Sequence, residues 1–494
     1  MAFKLQHPGK LYIGGQWVAP SGGQSEDIVN PADESILASA PVGGRADAEA
    51  AIAAARETFD QGDWANMPAI ARQALLTRFL DAVDARRDEI VSLIIDETGA
   101  TPIQALYAHY MLPMKLARKT VSLSTRDPCT GYAPELAPQA DGSTMLGVAF
   151  AVRQPIGVVA AITAYNFPFF LNLAKLTPAL SVGCTVVLKP SPFTPFTALL
   201  LAEIAEQVGI PAGVINVVNG GIDVGETITT DPRVDLVTFT GSDKVGGLIQ
   251  AQAAPTLKRV ILELGGKSAM IVRPDADLNA AAVAGLGGFT VHCGQGCALL
   301  TRHIVHNSVR AQFVERLGTM ASAVKVGNPR DPGTMMGPLI REQARQRTAS
   351  YVEEALDEGA TLVAGGRRPE GLDKGFFYAA TLLDNVSNHQ RIAREEIFGP
   401  VGVVMGYDDD DEAIALANDS DYGLAAGIFS RDVGLAYSMG LKLRSGSVSI
   451  NGGSGSMSGE APFGGIKRSG HGMEYGIEGL NEFTYMKAIS FHGG

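Results

Sequence analysis

Residues 157–190 run GVVAAITAYNFPFFLNLAKLTPALSVGCTVVLKP, two short apolar runs with a longer one between them. Gly157–Thr163 and Thr185–Leu188 have the length and apolar content of buried strands, while Phe169–Val182 is long enough only for a helix. The rhythm continues downstream. Helices are expected at Thr197–Val208, Val224–Thr229 and Lys244–Ala253, and strands at Val214–Val218, Val234–Thr238 and Val260–Leu264. Strands alternating with helices at this spacing specify an α/β fold with a parallel, doubly wound sheet, whose ligands bind beyond the carboxyl ends of the strands. A nucleotide site is the default expectation, yet no strand here is followed by the G-x-G-x-x-G fingerprint. Phe239-Thr240-Gly241-Ser242 runs into a helix instead.

A second alternating region occupies about 268–460, with helices near Asn279–Gly285, Val309–Ala323, Glu342–Glu358 and Asp411–Asn418 and strands near His303–His306 and Gly402–Gly406. It reads as a second α/β domain. Upstream, Arg45–Phe59 and Ile70–Ile95 carry helical periodicity up to Gly99, and Tyr107–Leu123 is helical until Asp127-Pro128 breaks it. The following polar segment to Ser143 suggests a projecting hairpin. Acidic Asp408–Asp411 reads as a helix cap, with no metal site expected, and the Gly/Ser-rich loop Asn451–Gly459 as a segment able to line a pocket.

The chain has 494 residues, a length that suggests about three domain-sized units. Its 46% apolar and 19% charged content suits a compact globular protein. Forty basic against 52 acidic side chains leave a net charge of −12, and without a basic block nucleic acid is not an expected partner. Apolar stretches are interrupted before the ~20 residues of a membrane span, so no membrane association is expected either. No secretory signal is evident at Met1–Gly15, and four cysteines cannot staple a chain of this size; a reduced, cytoplasmic protein is the expectation.

Three places carry chemistry. Cys297 lies in His292-Cys293-Gly294-Gln295-Gly296-Cys297, where glycines permit close backbone approach and a thiolate would attack a carbonyl; Cys293 is the competing thiol. Glu263 ends an apolar strand ahead of Gly265-Gly266, where burial would raise its pKa toward that of a general base, the alternative being a structural partner for a backbone amide. Asn166 follows a strand and is placed either to donate to a developing oxyanion or to serve as a turn residue.

These stretches resemble the aldehyde dehydrogenase superfamily over essentially the whole chain. Tyr165-Asn166-Phe167-Pro168, Phe239–Ser242, Glu263–Lys267, Gly294–Cys297 with Arg302, Glu395–Pro400 and Pro462–Lys467 with Ser469-Gly470 stand in the family's order. The resemblance implies two doubly wound α/β domains plus a small β oligomerisation element. It places a cofactor-binding domain over 1–128 and 149–262, a catalytic domain over 263–472, and the oligomerisation element over 129–148 and 473–494. It explains the missing glycine fingerprint.

The implied activity is oxidation of an aldehyde to the carboxylic acid with NAD or NADP. Cys297 would form a thiohemiacetal, Asn166 and the Cys297 amide would hold its oxyanion, and Glu263 would activate water against the thioester. Glu396 with Phe398 would hold the nicotinamide ribose, Lys189 the adenosine ribose, with Ser191 beside it able to accept a 2′-phosphate, and Ser242 the pyrophosphate. Thr240, Gly241 and Gly265 would be close-approach positions. Phe167, Phe170, Leu171, Ala174, Gly296 and Phe463 would line the substrate entrance, and without a basic side chain among them an uncharged aromatic or medium aliphatic aldehyde is expected. A homodimer or homotetramer is implied.

Three departures stand out. Pro192 replaces a frequent Glu that would repel a 2′-phosphate, which leaves NADP open beside NAD. His292 replaces a common Asn, as a packing change or a titrating neighbour of the thiol. Tyr165 replaces a frequent Trp, a change of packing. The competing readings are a CoA-acylating semialdehyde dehydrogenase, which generally lacks the Glu263 base, a catalytically silent structural or binding relative, and a cofactor-free cysteine hydrolase using His292.

Overall fold

The computed structural model describes residues 5–126, 128–453 and 458–493. Asp127, and the part of the expected pocket-lining loop at 454–457, lie outside the described residues, as does the start of the N-terminal segment read for a signal.

The first sheet has eight strands in the spatial order Gln16–Val18, Leu11–Ile13, Ile215–Val217, Thr185–Lys189, Val158–Ile162, Leu236–Thr240, Arg259–Glu263, Gly470–His471. The five central strands are parallel, with Val159 opposite both Val186 and Leu236. Each residue of Val158–Ile162 and Leu236–Thr240 is buried, as a strand covered by helices on both faces requires. Chain order runs outward from Val158–Ile162 in both directions, so the gap between it and Leu236–Thr240 is a topological switch point, where crossover helices diverge and leave a crevice at the carboxyl ends.

The helix entering that crevice, Pro168–Val182, starts with Pro at its first position, where a missing N–H costs nothing, and stops at Gly183 with φ 102°. The periodic run 70–95 folds as two helices, Ala69–Ala85 and Arg87–Thr98, broken at Arg86, whose guanidinium is drawn to Glu89 and Glu203. Gly99 closes the second at φ 73°. The expected helix Tyr107–Leu123 divides into a π-helical stretch, Ala105–Met111, and an α-helix, Leu112–Leu123. Pro113 has no N–H to donate to the preceding turn, and Leu112 N bonds back to Tyr107 O, which widens the coil.

The second sheet orders Thr361–Ala364, Thr381–Asp384, Val401–Tyr407, Arg302–His306, Ala269–Val272, Ala425–Phe429, Ser447–Ile450, parallel apart from its first strand. Two doubly wound sheets, each with its own apolar core, therefore build the body. Asp409 caps Asp410–Asn418 and Asp410 pairs with Arg273, so the acidic run is absorbed by a helix start.

A third sheet projects, with Thr484–Gly493 antiparallel to Thr144–Pro155, which also pairs with Cys129–Gly131 and Glu135–Pro138. The long strand runs continuously through residues 148 and 149. Gly470–His471 adds to the first sheet beside Glu263, tying the chain's C-terminal region to that sheet.

Candidate active site

Beyond the carboxyl ends of Val158–Ile162, Leu236–Thr240 and Arg259–Glu263 lies a cavity of about 580 Å³. Its walls include Asn166, Glu263 and Cys297, together with Thr240, Gly241, Ser242, Gly265, Glu396 and Phe398. Three stretches separated by up to 131 positions thus meet at one place.

Cys297 sits in a turn after a distorted segment in which His292 and Cys293 hold φ of 48° and 55°. Such left-handed values cost non-glycine residues energy and persist only where surroundings impose them. Here the imposing contacts are hydrogen bonds: Gln295 N and Nε2 both donate to His292 O, and Ile340 N donates to Gln295 Oε1. Asn166 Nδ2 donates to Gln295 O at 2.8 Å, which locks the amide to the thiol-bearing loop. The second Nδ2 hydrogen remains for another acceptor, and Asn166 Oδ1 has no partner.

His292 is buried, edge-on to His109 at 4.6 Å and to Phe167 at 5.2 Å, and burial depresses its pKa to about 4. It packs as a neutral ring. Cys293 is buried and burial pushes its thiol upward; Cys184 is likewise buried and pushed up to about 12, while Cys129 is exposed.

Glu263 closes its strand with both carboxylate oxygens unpartnered and nearly inaccessible. Burial, then the nearby Glu474, holds its pKa well above the usual carboxylate range, and Lys175 draws it back. Lys175 Nζ, fully buried, donates to Glu474 Oε1 at 3.1 Å and Thr238 Oγ1 at 3.0 Å. The Cys297 thiol is also held well above its ordinary value, by burial first and then by Glu263, Glu396 and Glu474.

Glu396 Oε1 accepts from Gly266 N at 3.1 Å, and burial lifts its pKa to about 7. A Cβ on Gly265 would collide with the Glu396 carboxyl group, so glycine admits it in this position. Arg347 donates to the Glu396 backbone carbonyl. Ser242 caps Asp243–Ala253, its Oγ accepting from Val245 N at 3.4 Å, and so brings a helix N-terminus to the cavity wall. Thr240 Oγ1 is buried without a partner.

Lys189 and Ser191 lie apart from these walls. Lys189 ends its strand, almost buried, with its stem against Gly225, and burial lowers its pKa to about 8. Ser191 Oγ accepts from Phe193 N at 3.3 Å. A buried carboxyl group admitted by glycine, a helix N-terminus and an unpartnered threonine hydroxyl at a switch point fit the riboses, phosphates and amide of a dinucleotide.

Phe167, Phe170, Leu171, Gly296 and Phe463 all reach the cavity. Ala174 is not among its lining residues; it is buried with Leu116, Leu424 and Tyr475, a turn too deep along its helix. Sequence reasoning missed Ala108 from the π-helical stretch and Leu112 from the start of the α-helix after it, Glu474 and Tyr475 from the C-terminal region, and Arg341 and Arg347. A lysine inside the otherwise apolar Leu173–Leu176 turn was a signal for the Lys175–Glu474 pair; Glu474 and Tyr475 carried none. Arg341 stacks on Phe193 at 4.5 Å, and Phe193 meets Tyr165, which in turn meets Phe398. Both arginines are thereby placed on the Phe398 side.

A thiol, a side-chain amide and a buried carboxylate around one cavity define a site for covalent attack on a carbonyl, built into a dinucleotide-type sheet. The chain belongs to the aldehyde dehydrogenase family, whose model matches residues 17–489, and it is an oxidoreductase that converts aldehydes to acids with NAD or NADP. It is 39% identical over 488 residues to a 3-succinoylsemialdehyde-pyridine dehydrogenase of Pseudomonas sp, covering 98% of this chain and 99% of that one. A solved Mycobacterium tuberculosis aldehyde dehydrogenase complexed with NAD+ is 40% identical, with TM-score 0.92 and 98% of each chain covered. A Pseudomonas syringae aldehyde dehydrogenase mutant, solved with NAD+ and octanal, is 37% identical, with TM-score 0.92 and coverage of 99% and 97%.

Proposed function

We propose that Cys297, Asn166 and Glu263 carry out the oxidation and that the substrate is an uncharged aromatic or medium-length aliphatic aldehyde. The observation that carries this reading is the convergence of the three side chains on one cavity whose far wall is apolar. Phe167, Phe170, Leu171, Phe463 and Tyr475 offer that wall no charge to clamp a substrate carboxylate, and the relative solved with octanal shows such a chain length in the family.

In the free protein burial, and after it the neighbouring Glu263, Glu396 and Glu474, hold the Cys297 thiol well above its ordinary value, so thiolate is favoured when positive charge enters the cavity. When bound, the oxidised dinucleotide supplies that charge and the hydride acceptor. Glu396 and Phe398 would hold its nicotinamide ribose, Ser242 and the helix behind it the pyrophosphate, and Lys189 with Ser191 the adenosine ribose. Thr240, Gly241 and Gly265 would let it approach the backbone.

Cys297 Sγ adds to the aldehyde carbon, and the free Asn166 Nδ2 hydrogen with the Cys297 N–H faces the oxygen that gains charge. Loss of one such donor typically costs ~10²–10³ in rate. Loss of hydride leaves a thioester on Cys297. Glu263, desolvated and unpartnered, takes a proton from water as its oxygen attacks the acyl carbon, and the thiol is regenerated as the acid departs. A thiol nucleophile needs a reducing compartment, which supports a cytoplasmic location. The apolar face of the third sheet supports a homodimer or homotetramer.

Cys297→Ala is expected to abolish aldehyde oxidation while cofactor affinity, read by fluorescence titration, stays within about twofold, since the thiol makes no contact that holds the cofactor in this reading. Turnover by that variant would end the nucleophile assignment. Glu263→Gln is expected to give a stoichiometric burst of reduced cofactor followed by a steady rate slower by about 10² or more, the range of lost general-base catalysis. Equal loss of burst and steady phases would make Glu263 structural.

A further inference from the structure

The adenosine end of the dinucleotide site lies apart from the catalytic cavity, and an unused carboxylate stands beside it. Lys189 is only 8% exposed, and its Nζ makes no hydrogen bond or ion pair among the described residues. A Cβ added to Gly225 would stand 3.8 Å from Lys189 Cε, so the lysine runs against the start of the helix Ile222–Thr230. Asp223 belongs to the first turn of that helix. It is exposed, and its carboxylate likewise has no hydrogen-bond or ion-pair partner among the described residues. Asp223 Oδ1 lies 3.4 Å from where a Cβ on the N-cap residue Gly221 would be, so the acid folds back over the helix start.

Burial lowers the Lys189 pKa to about 8, and Asp223 is the charged group that pulls it back. A second cation in reach would lower it further, and no other charged group acts on it. The 2′-phosphate that distinguishes NADP carries close to two negative charges at neutral pH and is normally met by an arginine. Here it would meet one weakened ammonium and a carboxylate. A bare helix start attracts phosphate, but Asp223 already sets a negative charge against this one. The free ribose hydroxyls of NAD ask for something different, a donor and an acceptor side by side.

We propose that Asp223 makes this enzyme select NAD over NADP: its carboxylate accepts from an adenosine-ribose hydroxyl beside Lys189 and turns a 2′-phosphate away. Pro192 leaves the loop after Lys189 without a carboxylate, and Asp223 supplies one from the helix Ile222–Thr230. The inference rests on the reading that Lys189 holds the adenosine ribose.

Steady-state kinetics of the full chain with each dinucleotide test it. The wild type is expected to show a kcat/KM with NAD at least about tenfold above that with NADP, the scale of one like charge facing a phosphate. Equal use, or a preference for NADP, overturns the proposal. Asp223→Asn keeps the shape of the side chain and removes the charge, so kcat/KM with NADP should rise about tenfold while that with NAD falls slightly. An unchanged ratio overturns the proposal as well. Lys189→Met separates this failure from failure of the underlying reading: the KM for both dinucleotides should rise together, and unaltered values would mean that the adenosine ribose is held elsewhere. If Asp223→Asn does not fold, competition against NAD on the wild type decides. Adenosine 5′-monophosphate should inhibit at about tenfold lower concentration than its 2′-phosphorylated form, and equal inhibition refutes selection at this ribose.

Discussion

Glu263 is poised between two buried neighbours of opposite effect. Glu474 raises its pKa and Lys175 lowers it, and the same Glu474 raises the Cys297 thiol. Glu474→Gln keeps an oxygen for Lys175 Nζ yet removes the negative charge. Both groups then ionise at lower pH. The acidic limb of the kcat profile should therefore move downward by up to about one pH unit, a typical effect of one nearby charge. A limb that stays in place would show that Glu474 does not act on the rate-limiting group. Cys297, Glu263 and Asn166 could be singled out as candidates, and they do line one cavity, because each stands in a marked local setting, with glycines around a thiol or a carboxylate ending an apolar strand. Glu474 was not, because its meaning depends on Lys175, 299 positions away.

Among elements, the strands and helices from Val158 to Glu263 were readable within a few residues because buried parallel strands are continuous apolar runs. The split of Ala105–Leu123 into π and α coils was hidden, since one proline sets it against a uniform apolar periodicity. So was the joint between two helices made by Glu97, near the end of Arg87–Thr98. Its Oε1 accepts from Phe196 N at the start of Phe196–Gln207, while Oε2 has no partner. Burial raises its pKa from 4.5 to about 8. The folded state therefore holds a proton there that the unfolded chain releases near 4.5, so this group's contribution falls as pH rises from about 4.5 to about 8 and levels off above. Glu97→Gln keeps the hydrogen bond and removes the titration. The variant should melt a few degrees higher than the wild type at pH 8 and nearly equally at pH 4.5, by calorimetry; a difference independent of pH would rule out the titration.

At the scale of the whole molecule, chain length suggested about three units; among the described residues the three largest of five sheets are two wound sheets and a four-stranded antiparallel one. That third sheet explains an otherwise unstable surface. Tyr485, Ile489 and Phe491 fall on one face of Thr484–Gly493 and are 40%, 48% and 52% exposed, with Lys487 between them over the Tyr485 ring and Phe491 stacked on Phe150 of the pairing strand. An exposed apolar sheet face of this kind is normally covered by a partner. A second copy of the chain is the occupant proposed above, and the strand's backbone pairing to Thr144–Pro155 does not depend on those side chains. Ile489→Lys with Phe491→Lys places two charges in the apolar face while leaving the ladder intact. Sedimentation velocity should then show a shift from an assembly to the 51.8 kDa monomer, with far-UV circular dichroism unchanged. An undiminished assembly would mean that this face is not what joins the subunits.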